Sequence, residues 1–209
     1  MRKTMKMTML KPALFGLLVT LSSIANAGLI TIKNQSFEES NNLNIVHNGR
    51  HYNHSVLHWV GNRFGTMSTE DFTGTNIDGE KNVWSNGGTL EQTLDETLMV
   101  GTYNLSAWFG DRADTAYPGA MAQLWAGSSL IGSIDVDSLP DGQWQQFAAN
   151  FDIDSNHLAL GDTLRVKLVS NGIQTLFDDV QLTYIPEPTA LTITCFALMA
   201  LVSRKRLRH

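Results

Sequence analysis

The chain has one cysteine among its 209 residues, and that residue, Cys195, lies in an apolar run near the C-terminus. No disulfide can hold the body of the protein together, so its stability has to come from a hydrophobic core. Proline is scarce too, five in all, and no proline-rich linker or internal repeat divides the sequence. Basic residues are few in the middle. Eight of the fifteen lysines and arginines crowd into residues 1–27 and 186–209, leaving residues 28–185 with seven basic and nineteen acidic side chains, a net charge of −12. A surface of that sign repels phosphate backbones and excludes nucleic acid as a partner. Hydrolase motifs are missing as well. There is no Gly-x-Ser-x-Gly elbow, no cysteine available as a nucleophile, and Gly161-Asp162-Thr163-Leu164 carries threonine where a Gly-Asp-Ser-Leu block has serine. On these residues the chain is expected not to be an enzyme.

What is present at the ends is an address. Arg2, Lys3, Lys6 and Lys11 precede a short apolar stretch, and Ala25-Asn26-Ala27 supplies the small-x-small pattern that signal peptidase cuts. Residues 1–27 are therefore expected to be a signal peptide, with cleavage after Ala27. At the other end, residues 189–203 would make a helix of roughly 22 Å against a hydrocarbon core of about 30 Å. That is barely enough to span. Arg204, Lys205, Arg206 and Arg208 follow at once and would stay on the cytoplasmic side.

Pro186-Glu187-Pro188, the short apolar run and the terminal basic cluster together resemble the PEP-CTERM sorting signal of Gram-negative bacteria. The resemblance implies recognition by an exosortase at Pro186, Glu187 and Pro188. It also implies transient anchoring of residues 186–209 in the inner membrane, and delivery to the cell surface or extracellular polysaccharide.

Between the ends the hydrophobic period is two. Tyr103, Leu105, Ala107 and Phe109 alternate with polar neighbours and Trp108; Leu164, Val166 and Leu168 alternate with Arg165 and Lys167. The stretches LITIK, SVLHWV, GTLEQTL, AMAQLWA, SLIGSIDV, QFAANFDI and DVQLTY read as further strands, separated by turn formers at NGG, AGSS, LPDGQ and SNG. Nine or so short strands without a helix predict an all-β fold. Residues 28–185 are expected to form a single antiparallel jelly-roll β-sandwich.

The segments IKNQSFEES, GTYNLSAWFGDR and LFDDVQL resemble those of galactose-binding-domain-like jelly rolls, which include carbohydrate-binding modules. The resemblance implies a structural calcium shared by the first turn and the last strand, here Glu38 or Glu39 with Asp178 or Asp179. Calcium takes six to eight oxygen ligands, and carboxylates are its natural donors. By strand parity Asp178 falls on the face of Val180 and Leu182, where a buried charge needs a counter-ion. Trp108 lies opposite the apolar face of its strand, just before Asp111 and Arg112. Together these three could stack on a sugar ring and bind its hydroxyls.

Two other patterns point elsewhere. Asp152, Asp154 and Asn156 open like an EF-hand loop, but His157 and Thr163 stand at the glycine and terminal glutamate positions. His47, His51, His54 and His58 would share a face only on a helix, and Asn48-Gly49 is a turn former. The expectation is thus an exported, exosortase-sorted surface protein, a non-catalytic module binding exopolysaccharide. A structural matrix protein without a ligand pocket and a glycan-modifying hydrolase are the alternatives.

Overall fold

The computed structural model describes residues 27–39, 44–47, 50–68 and 77–187, all within one compact unit, Ala25–Glu187. The expected signal peptide with Ala25, and the sorting tail from Pro188 onward, lie outside the described residues. Ala27 precedes the first strand, Pro186 closes the last, and Glu187 is exposed. Among the described residues no helix is long and apolar enough to cross a membrane.

The described residues form eleven antiparallel strands: β1 (Gly28–Ile30), β2 (Ile45–His47), β3 (Arg50–Tyr52), β4 (Val60–Ser68), β5 (Lys81–Thr97), β6 (Gly101–Asp111), β7 (Ala120–Ala126), β8 (Ser129–Val136), β9 (Trp144–Ile153), β10 (Thr163–Ser170) and β11 (Ile173–Pro186). They form two layers. One runs β9-β6-β11-β5-β4-β3-β2, with β1 added beside the far half of β11. The other runs β4-β5-β10-β7-β8. The all-β sandwich expected from the period-two pattern is what the chain forms.

Strand β5 belongs to both layers. Its first half pairs with β11 and its second half with β10, while β4 follows it along both halves. The change happens at Asn86-Gly87-Gly88, which the sequence suggested was a turn between strands. Gly87 sits at φ +72°, and a Cβ on Gly88 would come within 2.0 Å of the Asn62 carbonyl oxygen. Only glycine allows the strand to bend there without ending. Opposite it, β4 carries a bulge between Asn62 and Phe64, with Arg63 at φ +56°. The two strands therefore turn the corner together. This is why the expected short strand GTLEQTL is the tail of a 17-residue one.

The core lies between the layers. Tyr103, Leu105, Ala107 and Phe109 of β6 meet Leu164, Val166 and Leu168 of β10 and Ala122 and Leu124 of β7, all essentially inaccessible to solvent. Phe109 is central, with ring contacts to Phe177 at 5.4 Å and Phe147 at 5.7 Å. Two expected strands are shorter than predicted. LITIK pairs only as far as Ile30; beyond it the Gln92 side chain takes over, accepting from the Lys33 N–H and donating to its carbonyl, both at 2.8 Å. SVLHWV is mostly a turn, closed by Trp59 N–H to the Val56 carbonyl at 3.2 Å.

Truncating Phe109 to alanine should leave a cavity at the meeting point of three strands and cost about 3–5 kcal/mol. The shift in urea unfolding midpoint at unchanged m-value measures it; a shift equivalent to under about 1 kcal/mol would contradict this packing.

Candidate functional site

Strands β4, β5, β11, β6 and β9 set five residues in one cross-strand row: Gly65, Trp84, Leu176, Gly110 and Trp144. Their neighbours Val83, Phe177 and Phe109 point into the core, so by alternation this row faces outward. Two of the five are glycines, and each seats a tryptophan. A Cβ on Gly110 would come within 2.8 Å of the Trp144 ring; one on Gly65 would meet the Asn53 carbonyl oxygen at 1.8 Å as well as Trp84 Nε1 at 2.8 Å. With no side chain beneath them, both indoles lie close against the sheet. Leu176, fully buried, lies between them, and Met67 and Tyr52 complete a second apolar cluster separate from the main core. Tyr52 and His54 meet the Trp84 ring edge-on at 6.1 and 5.5 Å. The result is an aromatic platform on the outer side of the first layer, with Trp84, Leu176 and Met67 covered and Trp144 and Tyr52 partly exposed.

The next row carries Asp178, Trp108 and Gln146 in register. Strand parity alone placed Asp178 inward with Val180, and that expectation is corrected. One extra residue bulges β11 between Asp178 and Gln181, with Asp179 at φ +42°. Phe177 and Val180 therefore both face the core, and Asp178 turns to the outer face beside Trp108 and Leu176. It is nevertheless inaccessible to solvent. Among the described residues its oxygens accept from backbone N–H groups, of Asp179 at 2.8 Å and Asp78 at 3.3 Å. Burial pushes its carboxyl up to about 8; the two N–H donors oppose this, and the nearby charges of Asp78 and Asp179 add to it.

The trio Trp108, Asp111 and Arg112 is divided by the same alternation. Trp108 is half-buried on the outer face. Arg112 forks onto Asp114, with one bond at 2.9 Å, and reaches Gln174 Oε1 at 3.2 Å. Asp111, between Gly110 and Arg112, is fully buried on the core side. The four expected calcium ligands are spread over separate partners. Glu38 accepts from the N–H groups of Glu80 and Lys81 at 2.9 and 2.7 Å. Glu39 meets His58 Nε2 at 3.4 Å, and Asp179 accepts from Gln181 at 2.7 Å. Glu38 and Asp178 do reach the same segment, residues 78–81. Yet among the described residues no three histidine, cysteine, aspartate or glutamate side chains are arranged to hold a metal.

The histidines lie on β2, β3 and the loop after it, not on a helix; His58 pairs with Glu39 and His54 packs on Trp84. Asp154 caps its own turn through Asn156 N–H at 2.7 Å. Trp59 is structural, its Nε1–H shared by the Lys33 and Asn34 carbonyls. Trp125 lies on the outer face of the second layer, beneath Arg165 at 5.5 Å and Lys167 at 5.9 Å. The platform tryptophans were no more prominent in the sequence than these. What distinguishes them is a glycine on a neighbouring strand, visible only once the register is known.

A family model described as HpiC1-like, HpiC1 cyclase, matches residues 28–183. Among curated proteins none matches the sequence. Among solved structures, the Stig cyclase Fisc from Fischerella sp. TAU, in complex with (3Z)-3-(1-methyl-2-pyrrolidinylidene)-3H-indole, has a TM-score of 0.66 at 21% identity over 77% of this chain and 99% of that one. A cyclase from Fischerella sp. TAU in complex with 4-(1H-indol-3-yl)butan-2-one has a TM-score of 0.65 at 21% identity, over 76% of this chain and 98% of that one. At such identity these share the fold. The carbohydrate-binding module TmCBM61, in complex with β-1,4-galactotriose, follows with a TM-score of 0.49 at 14% identity, over 73% of this chain and 97% of that one. The family match overturns the expectation of a chain without a reaction of its own, because a cyclase is a catalyst.

The buried carboxyl has a measurable consequence. Between the ordinary aspartate value and about 8, folded Asp178 holds a proton that the unfolded chain has released. Stability should therefore fall as pH rises through that window, by up to about 1.4 kcal/mol per unit. Urea unfolding at pH 5 and pH 8 measures the fall, and Asp178→Asn should flatten it. An equal slope in the variant would mean that the proton is held elsewhere.

Proposed function

Because the chain belongs to the HpiC1-like cyclase family, we propose that the platform between Trp84 and Trp144 is its reaction site and that Asp178 is the acid. The observation carrying this is a solvent-free carboxyl, raised by burial to about 8, set one row from a largely buried aromatic cluster whose open edge is Trp144 and Tyr52. An apolar, unsaturated substrate would enter at the part-exposed edge of the cluster, against Trp144 and Tyr52, Leu176 and Trp84 being covered. Trp84 Nε1–H, buried with no hydrogen-bond partner among the described residues, is a donor for one polar atom of that substrate. Ring closure joins two unsaturated carbons. A proton given by the Asp178 carboxyl, or a strong hydrogen bond from it, makes one of them electron-poor enough to be attacked. After the new C–C bond forms, the cation loses a proton to the carboxylate, so the product is an isomer of the substrate. General acid assistance of this kind contributes about 10²–10⁴-fold.

Indole is the first substrate class to test, since two Fischerella relatives hold indoles. The purified chain, incubated with indoles carrying unsaturated side chains, should yield products of unchanged mass. Asp178→Asn should lower that turnover by about 10²-fold or more. Binding of 4-(1H-indol-3-yl)butan-2-one, followed by ligand-observed NMR, should weaken at least tenfold in Trp144→Ala. Undiminished turnover in the first variant, or undiminished binding in the second, removes the assignment.

One observation favours a second reading for the same carboxyl. Glu38 and Asp178 both reach residues 78–81, and a calcium ion shared there would keep Asp178 ionised. The two readings exclude each other. A melting temperature at pH 7.5 that rises with calcium and falls with EDTA, both effects lost in Asp178→Asn, would establish the cation and overturn the acid.

The proposed address follows the two ends: export, cleavage after Ala27, transient residence in the inner membrane, and exosortase processing at Pro186-Glu187-Pro188. Half-exposed Trp108, with Gln146 across from it, would let the domain rest on surrounding polysaccharide. Mass spectrometry of the mature protein should find Gly28 at its start and no Arg204–Arg208 at its end; an intact basic terminus would refute the processing.

A further inference from the structure

Gln174 is a buried amide that the proposed reaction does not use. It stands two residues before Leu176 in β11 and is only 6% exposed. Nothing in β5 lies opposite it: Ile173 pairs with Asn86 and Thr175 with Ser85, so β11 carries an extra residue here too. Thr175 is fully buried, and its hydroxyl accepts from Ser170 Oγ at 3.0 Å. Gln174, next to it, meets Arg112, which follows core-facing Asp111 at the end of β6. Both therefore lie on the platform side of the first layer. Arg112 comes two residues after Gly110, the seat of Trp144, and Gln174 two residues before Leu176, in register with that glycine. The pair forms the row beside the Trp144 seat, on the side away from Asp178.

Its neighbours fix which way the amide is turned. Arg112 Nη1 donates to Gln174 Oε1 at 3.2 Å, and a guanidinium has no acceptor to offer in return. The guanidinium is itself held by its fork on Asp114, with Nη2 to Oδ2 at 2.9 Å. The oxygen of Gln174 must then face Arg112, and Nε2 must face away from it. Among the described residues that Nε2 donates to nothing. Asn86 Oδ1, on the strand alongside, is a buried acceptor without a partner among them, so the two groups do not satisfy each other. A nearly buried N–H without an acceptor is unfavourable. Water can take it in the free protein, and a ligand acceptor can replace that water.

We propose that Gln174 is a specificity-determining residue: its Nε2–H donates to a lone-pair acceptor, a carbonyl oxygen or an imine nitrogen, at the end of the substrate remote from Asp178. The inference rests on the platform being the reaction site. Arg112 and Asp114 act through Gln174 as positioning residues. Four residues of β11 separate Gln174 from Asp178, roughly 13 Å between their Cα atoms. The acceptor is therefore a group distinct from the carbons that Asp178 activates. A plain hydrocarbon would strip the water from Nε2 and give nothing back, whereas a substrate with an acceptor restores the bond. Selection against the analogue that lacks the polar atom follows from that unpaired donor.

The test compares two ligands that differ by one carbonyl oxygen, 4-(1H-indol-3-yl)butan-2-one and 3-butylindole. Their binding to the full chain is followed by ligand-observed NMR. The wild type should favour the ketone by about fivefold or more, the contribution of one neutral hydrogen bond. Gln174→Glu keeps an oxygen for Arg112 and loses the N–H donor; Gln174→Met loses both. Each variant should bring the two affinities close to parity by weakening the ketone alone, with 3-butylindole held at least as well as before. A merely structural role would weaken both ligands together, and that result overturns the proposal. Equal affinities in the wild type overturn it as well, and leave the platform standing. So does a ketone preference that survives in both variants, which assigns the donor to Trp84 or Asp178. If neither ligand binds the wild type, the reaction site proposed above is wrong and this inference is lost with it.

Discussion

One residue too many in β11 is the constraint on which the proposed site depends. A strand running without interruption through Phe177, Asp178, Asp179 and Val180 would send Phe177 and Val180 to opposite faces. Both are too apolar to leave the core. The chain instead bulges, with Asp179 in the left-handed region, and both remain inside. Asp178 is thereby carried to the outer layer surface, opposite Trp108. The favourable burial of two large side chains holds a carboxyl where water does not reach it. That combination gives a neutral acid in a protein whose other carboxylates are mostly exposed.

The platform illustrates the complementary use of glycine. Gly65 and Gly110 leave gaps in the side-chain layer, and Trp84 and Trp144 fill them from neighbouring strands. Each tryptophan is held near the sheet by what its neighbour lacks. Bending of β5 at Gly87-Gly88 adds the third contribution, because it brings Trp84 into the first layer while Leu90 and Leu94 join the second. A fold with no disulfide thus positions its aromatics by backbone geometry alone.

Acidity and burial act together at both ends of the row. Asp178 and Asp111 flank the aromatic platform from opposite faces of adjacent strands, each beside carboxylates rather than cations. In a domain with seven basic residues against nineteen acidic ones, a buried aspartate finds a counter-charge with difficulty. Protonation is the remaining way to lower its energy. The composition that excluded nucleic acid therefore also favours a raised carboxyl at Asp178.

By itself the sequence determined the class of the fold. Alternation in β6 and β10 named their inward residues correctly, because a period of two is a local property of each strand. The turns at Gly127, Gly142 and Asn171-Gly172 were legible for the same reason. Tertiary structure decided the rest. Whether Asn86-Gly87-Gly88 ended a strand or bent it, and which tryptophans gathered, depended on partners 20 to 90 residues away. Trp108 and Asp111, three apart in β6, were separated because residues an odd number apart in a strand point to opposite faces. Asp178 faced outward against its apparent parity because register, unlike periodicity, is set by the strand alongside.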